Sequence, residues 1–238
     1  MKGLIIAIQF LTRLPTPRIE VTSAGFIASM RWFPAAGALI GLVVAAAAWA
    51  GAMIDNWTGA LVALAAWVLV TGALHLDGLA DVADARGAAH KDRDRMLAVL
   101  ADPHVGSFGV TAIGLQLIAK LVLLHAVVDL GRFVALACVP FVARVAPLFW
   151  SRLITPLHEG LGARFRGAIR PVHLVAWSMV LICAAWFVPA LLVFIPCVAL
   201  WGLWVDRRLG GISGDAHGAG IELVETVLLF AIVAQAAL

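Results

Sequence analysis

Three aspartates with helical spacing are the residues most suited to chemistry in this chain. Asp77, Asp81 and Asp84, within HLDGLADVAD (75–84), follow the spacing i, i+4, i+7. At about 100° per residue their side chains fall within about 60° of one another, forming what we term the aspartate stripe. Ionised groups this close repel one another, and Mg²⁺ or Mn²⁺, which prefer oxygen ligands, relieves that cost. The stripe therefore predicts a metal site; the alternative is a solvated helix end whose acids happen to align.

A second acidic group lies near the carboxyl end, in GGISGDAHGAGIELVE (210–225). Its glycines allow unusual backbone angles and close approach to a ligand, so we expect Gly214 to contact substrate. Asp215, Glu222 and Glu225 are candidates for holding a second cation or accepting a proton. The alternative is a turn for Asp215 and a favourable helix amino terminus for the two glutamates.

The segment LADPHVGSFG (100–109) supplies a third group of candidates. Asp102 is either a metal or substrate ligand or the N-cap of a helix that has Pro103 at its first position. His104 and Ser107 are candidates for contacting substrate.

Basic residues accompany these acids. Arg86, Lys91, Arg93 and Arg95 follow the aspartate stripe, where they either neutralise it or bind a polyphosphate held on its metal. Arg144 lies inside an apolar run, and an arginine within a membrane span is a functional candidate by default. We expect it to clamp a phosphate or, alternatively, to pair with one of the acids.

The elements that position these residues are membrane-spanning helices. The 238 residues are 63% hydrophobic and 13% charged, with a mean hydropathy of +1.02, whereas a soluble domain is about half apolar and a quarter charged. We predict one integral membrane domain over 1–238, an all-α polytopic bundle of six or seven transmembrane helices. The predicted spans are 33–54, 57–74, 105–128, 133–150, 172–205 and 221–238. The stretch 172–205 is either a hairpin of two short helices, broken by its prolines, or one kinked helix.

The basic residues predict which side of the membrane each loop faces. With seven spans and a cytoplasmic amino terminus, Arg132 is on the outer side, whereas Lys120 and Arg144 are within spans. The other lysines and arginines fall on the inner side, as the positive-inside rule requires. The acidic motifs share that side, so we predict a bacterial inner-membrane protein with a cytoplasmic active site. Because topology accounts for the positive charge, the net charge of +3 does not indicate a nucleic-acid partner.

The chain resembles the cobalamin synthase family, membrane enzymes of the last assembly steps of vitamin B12. The segments that carry the likeness are QFLTRLPTP (9–17), RWFPAAGALIG (31–41), HLDGLADVAD (75–84), DPHVGSFG (102–109) and GGISGDAHGAGIELVE (210–225). They occur in the family's order and spread over nearly the whole chain. The resemblance implies that adenosylcobinamide-GDP is joined to α-ribazole or α-ribazole 5′-phosphate, with release of GMP and a requirement for Mg²⁺.

The resemblance also implies a mechanism. The aspartate stripe would hold Mg²⁺ against the pyrophosphate while a ribazole ribose hydroxyl attacks the phosphorus that bears the corrinoid arm. The predicted catalytic residues are Asp81, Asp215 and Glu222. The predicted metal ligands are Asp77, Asp81, Asp84, Asp102, Asp215 and Glu225. The predicted substrate contacts are Arg93, Arg95, Arg144, His104, Ser107 and Gly214.

The chain departs from the family's usual pattern at a few positions. Ala85 stands where glycine is common, and Pro103 and His104 stand where a serine-arginine pair is common. Ser107 and Ser213 replace threonine, which is a mild change. A phosphate-binding role carried over to His104 therefore has less support than the roles of the aspartates.

Two other classes of membrane protein are the alternatives. A CDP-alcohol phosphotransferase also gathers aspartates around divalent metal, but its motif has a different order of glycine, arginine and aspartate, and it would release CMP. An ion-coupled transporter often has repeated halves and acids near the bilayer midplane, whereas these acids lie at span ends and no repeat is evident. A transporter would move substrate without chemical conversion.

Overall fold

The computed structural model describes residues 2–88, 92–157 and 161–236, and only the backbone of 161–164. Lys91 and the end of the last predicted span, 237–238, lie outside these residues. All secondary-structure elements in the described ranges are helices. The one β-bridge among these residues is an isolated one between Pro156 and Ile212. The prediction of an all-α fold is confirmed.

Thirteen α-helices lie in the described part of the chain. They are α1 (Lys2–Leu11), α2 (Ser23–Ser29), α3 (Phe33–Ala52), α4 (Asn56–Thr71), α5 (Leu74–Ala88), α6 (Arg93–Leu100), α7 (Ser107–Asp129), α8 (Phe133–Ala143), α9 (Ala146–Leu153), α10 (Leu161–Ala168), α11 (Pro171–Phe187), α12 (Phe194–Arg208) and α13 (Gly214–Ala236). Short 3₁₀ segments, Met30–Trp32 and Pro189–Val193, lead into α3 and α12.

The long apolar helices are those of a polytopic membrane protein. Within the described ranges, five segments are long and apolar enough to cross a bilayer, or six if α4 and α5 count together. The five are Ser23–Ala52, Ser107–Asp129, Phe133–Leu153, Pro189–Arg208 and Gly214–Ala236. A seven-span count would also need α11, which is apolar but has only 17 residues. The predicted break in 172–205 is present, because α11 ends at Phe187 and the 3₁₀ segment begins at Pro189.

A sharp bend separates α4 from α5. Gly72 and Ala73 adopt left-handed backbone angles, with φ of 61° and 59°, and the N–H of Gly72 closes the last turn of α4. This is a common way for a helix to end. The axis of α5 then turns 85° from that of α4, so the two helices are not collinear. The predicted span 57–74 therefore ends at Thr71, and the aspartate stripe lies on a separate helix.

Helix α13 packs against α5, α7 and α8, and glycines let α5 and α13 approach closely. A Cβ atom at Gly78 would lie 2.8 Å from the carbonyl oxygen of Asp215, and one at Gly218 would lie 3.3 Å from the Cα of His75. Small residues at helix contacts are common in membrane bundles. The glycine-rich segment thus serves helix packing at Gly218, whereas a Cβ at Gly214 would meet no atom within 4 Å among the described residues.

Candidate active site

The aspartate stripe faces α13, which brings Asp215 to it. The predicted helix is present as α5, on which Asp77 is exposed, Asp81 is half-buried and Asp84 is buried. Burial, followed in decreasing order by the charges of Asp215, Asp77 and Asp84, raises the pKa of Asp81 to about 6. Two segments 130 residues apart in sequence therefore form one anionic site.

The donor chemistry of this site fits a divalent cation. Asp77, Asp81 and Asp215 offer carboxylate oxygens, the ligands that Mg²⁺ and Mn²⁺ prefer. Burial is the largest cause of the raised pKa of Asp81, and the like charges of Asp215, Asp77 and Asp84 add to it. Among the residues that the structure describes, no three His, Cys, Asp or Glu side chains form a ready-made metal site. Cation binding would therefore need these carboxylates to converge further.

Asp84 has a structural task that its place in the stripe did not predict. Its two carboxylate oxygens accept hydrogen bonds from the backbone N–H groups of Gly106 and Gly109, at 2.7 and 2.9 Å. These N–H groups lie at the start of α7, where a helix leaves its first donors unpaired and favours negative charge. Asp84 thus caps α7 from a neighbouring helix, and its role as a metal ligand stays a prediction.

A cavity of about 200 Å³ lies between α5 and α13 on one side and the amino-terminal helices on the other; we call it cavity A. Its acidic edge contains Asp77 and Asp215, with Gly214 beside them. The lining also includes apolar side chains and two histidines, namely Phe10, Leu11, Met30, Phe33, Phe165, His75 and His217. Four of the five segments that carry the family resemblance contribute to this lining, and the segment 102–109 is the exception.

Charged residues buried in the membrane-spanning part form a network of ion pairs. Lys120 on α7 lies 2.6 Å from a carboxylate oxygen of Glu222 and 2.5 Å from one of Glu225. Arg144, which follows α8, pairs with the other oxygen of Glu225. All four side chains are buried. Two cations and two anions therefore balance one another within the bundle, as buried charges require.

Polar side chains complete this network and link it to cavity A. The amide nitrogen of Gln116 donates to the side chain and the backbone carbonyl of Glu222, both at 2.8 Å. His75 places its Nδ1 atom 3.2 Å from the Arg144 guanidinium. His75 belongs to α5, the helix that carries the aspartate stripe, and it also lines cavity A. The network therefore reaches both that helix and the cavity.

This placement gives three of the predicted site residues structural partners. Glu222 and Glu225 lie seven and ten residues beyond Asp215 on α13, which is about 10 and 15 Å of helix rise. Their carboxylates are held by Lys120 and Arg144. The structure thus places Glu222, Glu225 and Arg144 in the buried network, and their predicted roles in proton transfer, metal ligation and phosphate binding stay predictions. The alternative in which Arg144 pairs with an acid is confirmed.

Four other predicted site residues line a second cleft, of about 470 Å³, at the start of α7. Arg95, Asp102, His104 and Ser107 all line it, together with Asp84. Asp102 accepts hydrogen bonds from the backbone N–H and the imidazole of His104, which hold the pKa of Asp102 below its usual value. The N-cap interpretation of Asp102 is wrong, because α7 begins only at Ser107.

Two arginines of the basic group have identifiable neighbours. Arg93 lies beside the segment that leads into α13, because a Cβ at Gly210 would lie 2.9 Å from its guanidinium. Arg86 lies over the ring of Trp204, 6.0 Å from the centroid, in a cation–π geometry. Arg93 therefore lies against the segment that leads to Asp215.

Sequence reasoning missed a histidine–serine pair beside cavity A. The Nδ1 atom of His217 lies 2.7 Å from the carbonyl oxygen of Ser213, and its Nε2 atom lies 2.9 Å from the hydroxyl of Ser151. Because a carbonyl only accepts, Nδ1 carries the proton and the neutral imidazole accepts from Ser151 at Nε2. His217 occurs in the motif GDAHG, but nothing local to Ser151, 66 residues earlier, indicates this contact.

Comparison with known proteins gives the relatives of this chain. The family model described as cobalamin-5-phosphate synthase matches residues 3–233. An adenosylcobinamide-GDP ribazoletransferase of Novosphingobium aromaticivorans is 64% identical over 236 residues, covering 98% of this chain and 96% of the relative. The enzymes of that name from Thiobacillus denitrificans and Brevibacillus brevis are 48% and 33% identical, each covering at least 94% of both chains. No solved structure matches the chain.

The family match extends over nearly the whole chain and includes all five segments on which the resemblance was based. The expected resemblance is thus confirmed by two independent kinds of comparison. The chain belongs to the cobalamin-5-phosphate synthase family.

Proposed function

We propose that this chain joins adenosylcobinamide-GDP to α-ribazole, or to α-ribazole 5′-phosphate, and releases GMP. Its family and the names of its relatives support a transferase of cobalamin synthesis. The observation that carries the proposal is that Asp77 and Asp215 line the edge of cavity A and that both interact with Asp81. A cluster of carboxylates beside a ligand-sized cavity suits transfer from a pyrophosphate.

The acidic residues and Arg93 have the following tasks in this proposal. Asp77, Asp81 and Asp215 would hold Mg²⁺ or Mn²⁺, which when bound neutralises charge on the pyrophosphate oxygens. The acceptor hydroxyl forms a bond to the phosphorus that carries the corrinoid arm, its proton passes to a carboxylate oxygen of Asp81 or Asp215, and the bond to GMP breaks. Arg93, beside the segment that leads to Asp215, stabilises the negative charge on the departing phosphate.

The proposal is tested by following GMP release from purified protein in nanodiscs with both substrates and Mg²⁺. We expect Asp81→Asn to lower kcat/KM by at least about 100-fold, as expected when transition-state charge stabilisation is lost. Asp94→Asn is the matched control, because Asp94 is an exposed acid on the neighbouring α6. If Asp81→Asn turns over like the wild type with the same Mg²⁺ dependence, the assigned site is wrong. Release of CMP from a CDP-alcohol would instead support the rival enzyme class.

We further propose that the protein lies in the bacterial inner membrane with cavity A open to the cytoplasm. The excess of basic residues on the side of the acidic segments supports this orientation. A cysteine introduced at Asp94, after replacement of Cys138, Cys183 and Cys197 by serine, reports it. We expect a membrane-impermeant maleimide to label this cysteine in inside-out vesicles and not in intact spheroplasts, and the opposite pattern would reverse the orientation.

A further inference from the structure

Interlocked phenylalanine rings form one wall of cavity A. Phe10 stacks on Phe33 with ring centroids 5.8 Å apart, and Phe33 meets Phe165 edge to face at 6.2 Å. Phe26 closes the group, with centroids 5.0 Å from Phe10 and 5.7 Å from Phe165. The rings come from α1, α2, α3 and α10. Contacts of this kind between four helices create a shaped aromatic surface.

The volume of cavity A limits what it can hold. At about 200 Å³ it is smaller than the roughly 300–1,000 Å³ of sites that enclose a whole drug-sized ligand. A corrin macrocycle or a complete nucleotide is therefore too large for it. One fused bicyclic ring system is of the right size.

The polarity of the lining points to an apolar ring. Both nitrogens of His217 are engaged, by the Ser213 carbonyl and the Ser151 hydroxyl, and Nδ1 of His75 faces Arg144. Apart from the carboxylates at the edge, the described lining thus offers few donors or acceptors to a ligand. A guanine base would leave several polar groups unpaired there, at a substantial free-energy cost. A benzimidazole, which has hydrocarbon edges, would not.

We propose that cavity A is the subsite for the aromatic base of the acceptor, an inference that rests on the proposed function. The base lies against Phe10, Phe33 and Phe165, and the attached ribose lies at the edge formed by Asp77 and Asp215. This arrangement places the attacking hydroxyl beside the carboxylates. The donor's large corrinoid and guanosine parts remain outside the cavity, so the rings determine which acceptor base is accepted.

The test compares steady-state GMP release by the wild type and by Phe10→Ala, with each substrate varied in turn. Phe10 is chosen because it is 36% exposed, so its loss perturbs folding less than that of a buried ring. Removing a ring that stacks on a base weakens binding by roughly 10- to 100-fold. We expect the KM for α-ribazole to rise by about that factor. The KM for adenosylcobinamide-GDP, and kcat at saturating acceptor, should stay within about twofold.

Two further variants complete the test. Phe149→Ala is the matched control, because Phe149 lines a different cleft, between α9 and α12, and it should leave both KM values unchanged. Phe33→Trp fills cavity A instead of enlarging it, and we expect it to exclude α-ribazole while the protein keeps its wild-type melting temperature. If Phe10→Ala fails to fold, the result with Phe33→Trp decides.

An equilibrium titration with radiolabelled α-ribazole separates failure of this inference from failure of the proposed function. Binding by the wild type that is lost in the Phe10 and Phe33 variants supports the subsite, and an accompanying lack of GMP release overturns the proposed function alone. GMP release with an unchanged KM for α-ribazole in these variants overturns the subsite alone. A wild type that shows neither binding nor turnover overturns both.

Discussion

Replacing Gly78 by alanine tests whether the close approach of α5 and α13 sets the geometry of the active site. The added Cβ would lie 2.8 Å from the carbonyl oxygen and 2.9 Å from the Cα of Asp215, whereas ordinary contacts begin near 3.4 Å. Both atoms belong to backbone, which cannot rotate away as a side chain would. The two helices must therefore separate by about 0.6 Å at the point where their carboxylates meet.

The expected cost follows from this displacement. A misplacement of about 1 Å in a catalytic site costs about 100-fold in rate, so about 0.6 Å corresponds to a loss of at least about tenfold in kcat. Overpacking of a helix contact costs about 1–3 kcal/mol of stability. Alanine by itself favours a helix by about 1 kcal/mol over glycine, so any loss in Gly78→Ala arises from the contact with α13.

The assay is GMP release at saturating substrates in nanodiscs, together with the melting temperature. Gly114→Ala is the matched control, since its Cβ on α7 would meet no described atom within 4 Å. We expect the control to keep the wild-type rate with an equal or higher melting temperature, and Gly78→Ala to lose rate and melting temperature together. A Gly78→Ala variant with a wild-type rate and melting temperature would show that the spacing of α5 and α13 does not position the site.

Three other predictions concern the charges around the site. Lys120→Met leaves Glu222 without its cation and should cost about 3–5 kcal/mol of stability, measured as a lower melting temperature. The double variant with Glu222→Gln should recover part of this loss. A Lys120→Met variant with the wild-type melting temperature would refute the network. Asp84→Ala removes the cap of α7 and should lower the stability of the protein by about 0.5–2 kcal/mol. Asp102→Ala should not change the melting temperature, and equal melting temperatures for the two variants would contradict the capping role of Asp84. Asp81→Asn removes one of several repelling charges, so it should raise the melting temperature measured without divalent cations although activity is lost. A lower melting temperature than that of the wild type would contradict the repulsion within the stripe.

Local patterns in the sequence predicted the helix of the aspartate stripe and the long apolar helices, although the last span was placed at 221–238 and α13 begins at Gly214. The spacing of Asp77, Asp81 and Asp84 predicted the helix that the structure contains. Apolar runs predicted the long spans, because a bilayer requires about 17–25 residues of uniform hydrophobicity. The end of α4 was placed three residues too late, because apolar residues continue through the left-handed turn at Gly72 and Ala73.

Contacts between distant segments were not predictable in the same way. Arg144 and Glu225 are 81 residues apart, and no local pattern identifies them as partners. The capping of α7 by Asp84 depends equally on how α5 and α7 pack. The side chains Glu222 and Glu225 were therefore placed with the site on the basis of their residue type, when their partners assign them to the interior of the bundle.

The apolar part of the site illustrates the same limit. Phe10, Phe33 and Phe165 have the composition of ordinary membrane or core residues, and their shared wall forms only when four helices meet. The acidic edge was recognisable because clustered like charges are unusual anywhere in a folded chain. Apolar surfaces carry no comparable local pattern, so their role emerged only from the assembled structure.

The buried ion pairs have a consequence for how the protein is made. Lys120 enters the membrane about a hundred residues before Glu222 and Glu225 are synthesised. Until the last helix is inserted, α7 carries an ammonium group in lipid with no counter-charge from α13, at a cost of about 2.5–3.5 kcal/mol on insertion scales. Biogenesis therefore ends with a neutralisation step, and a chain that stops before α13 exposes a charge by which membrane quality control can recognise it as incomplete.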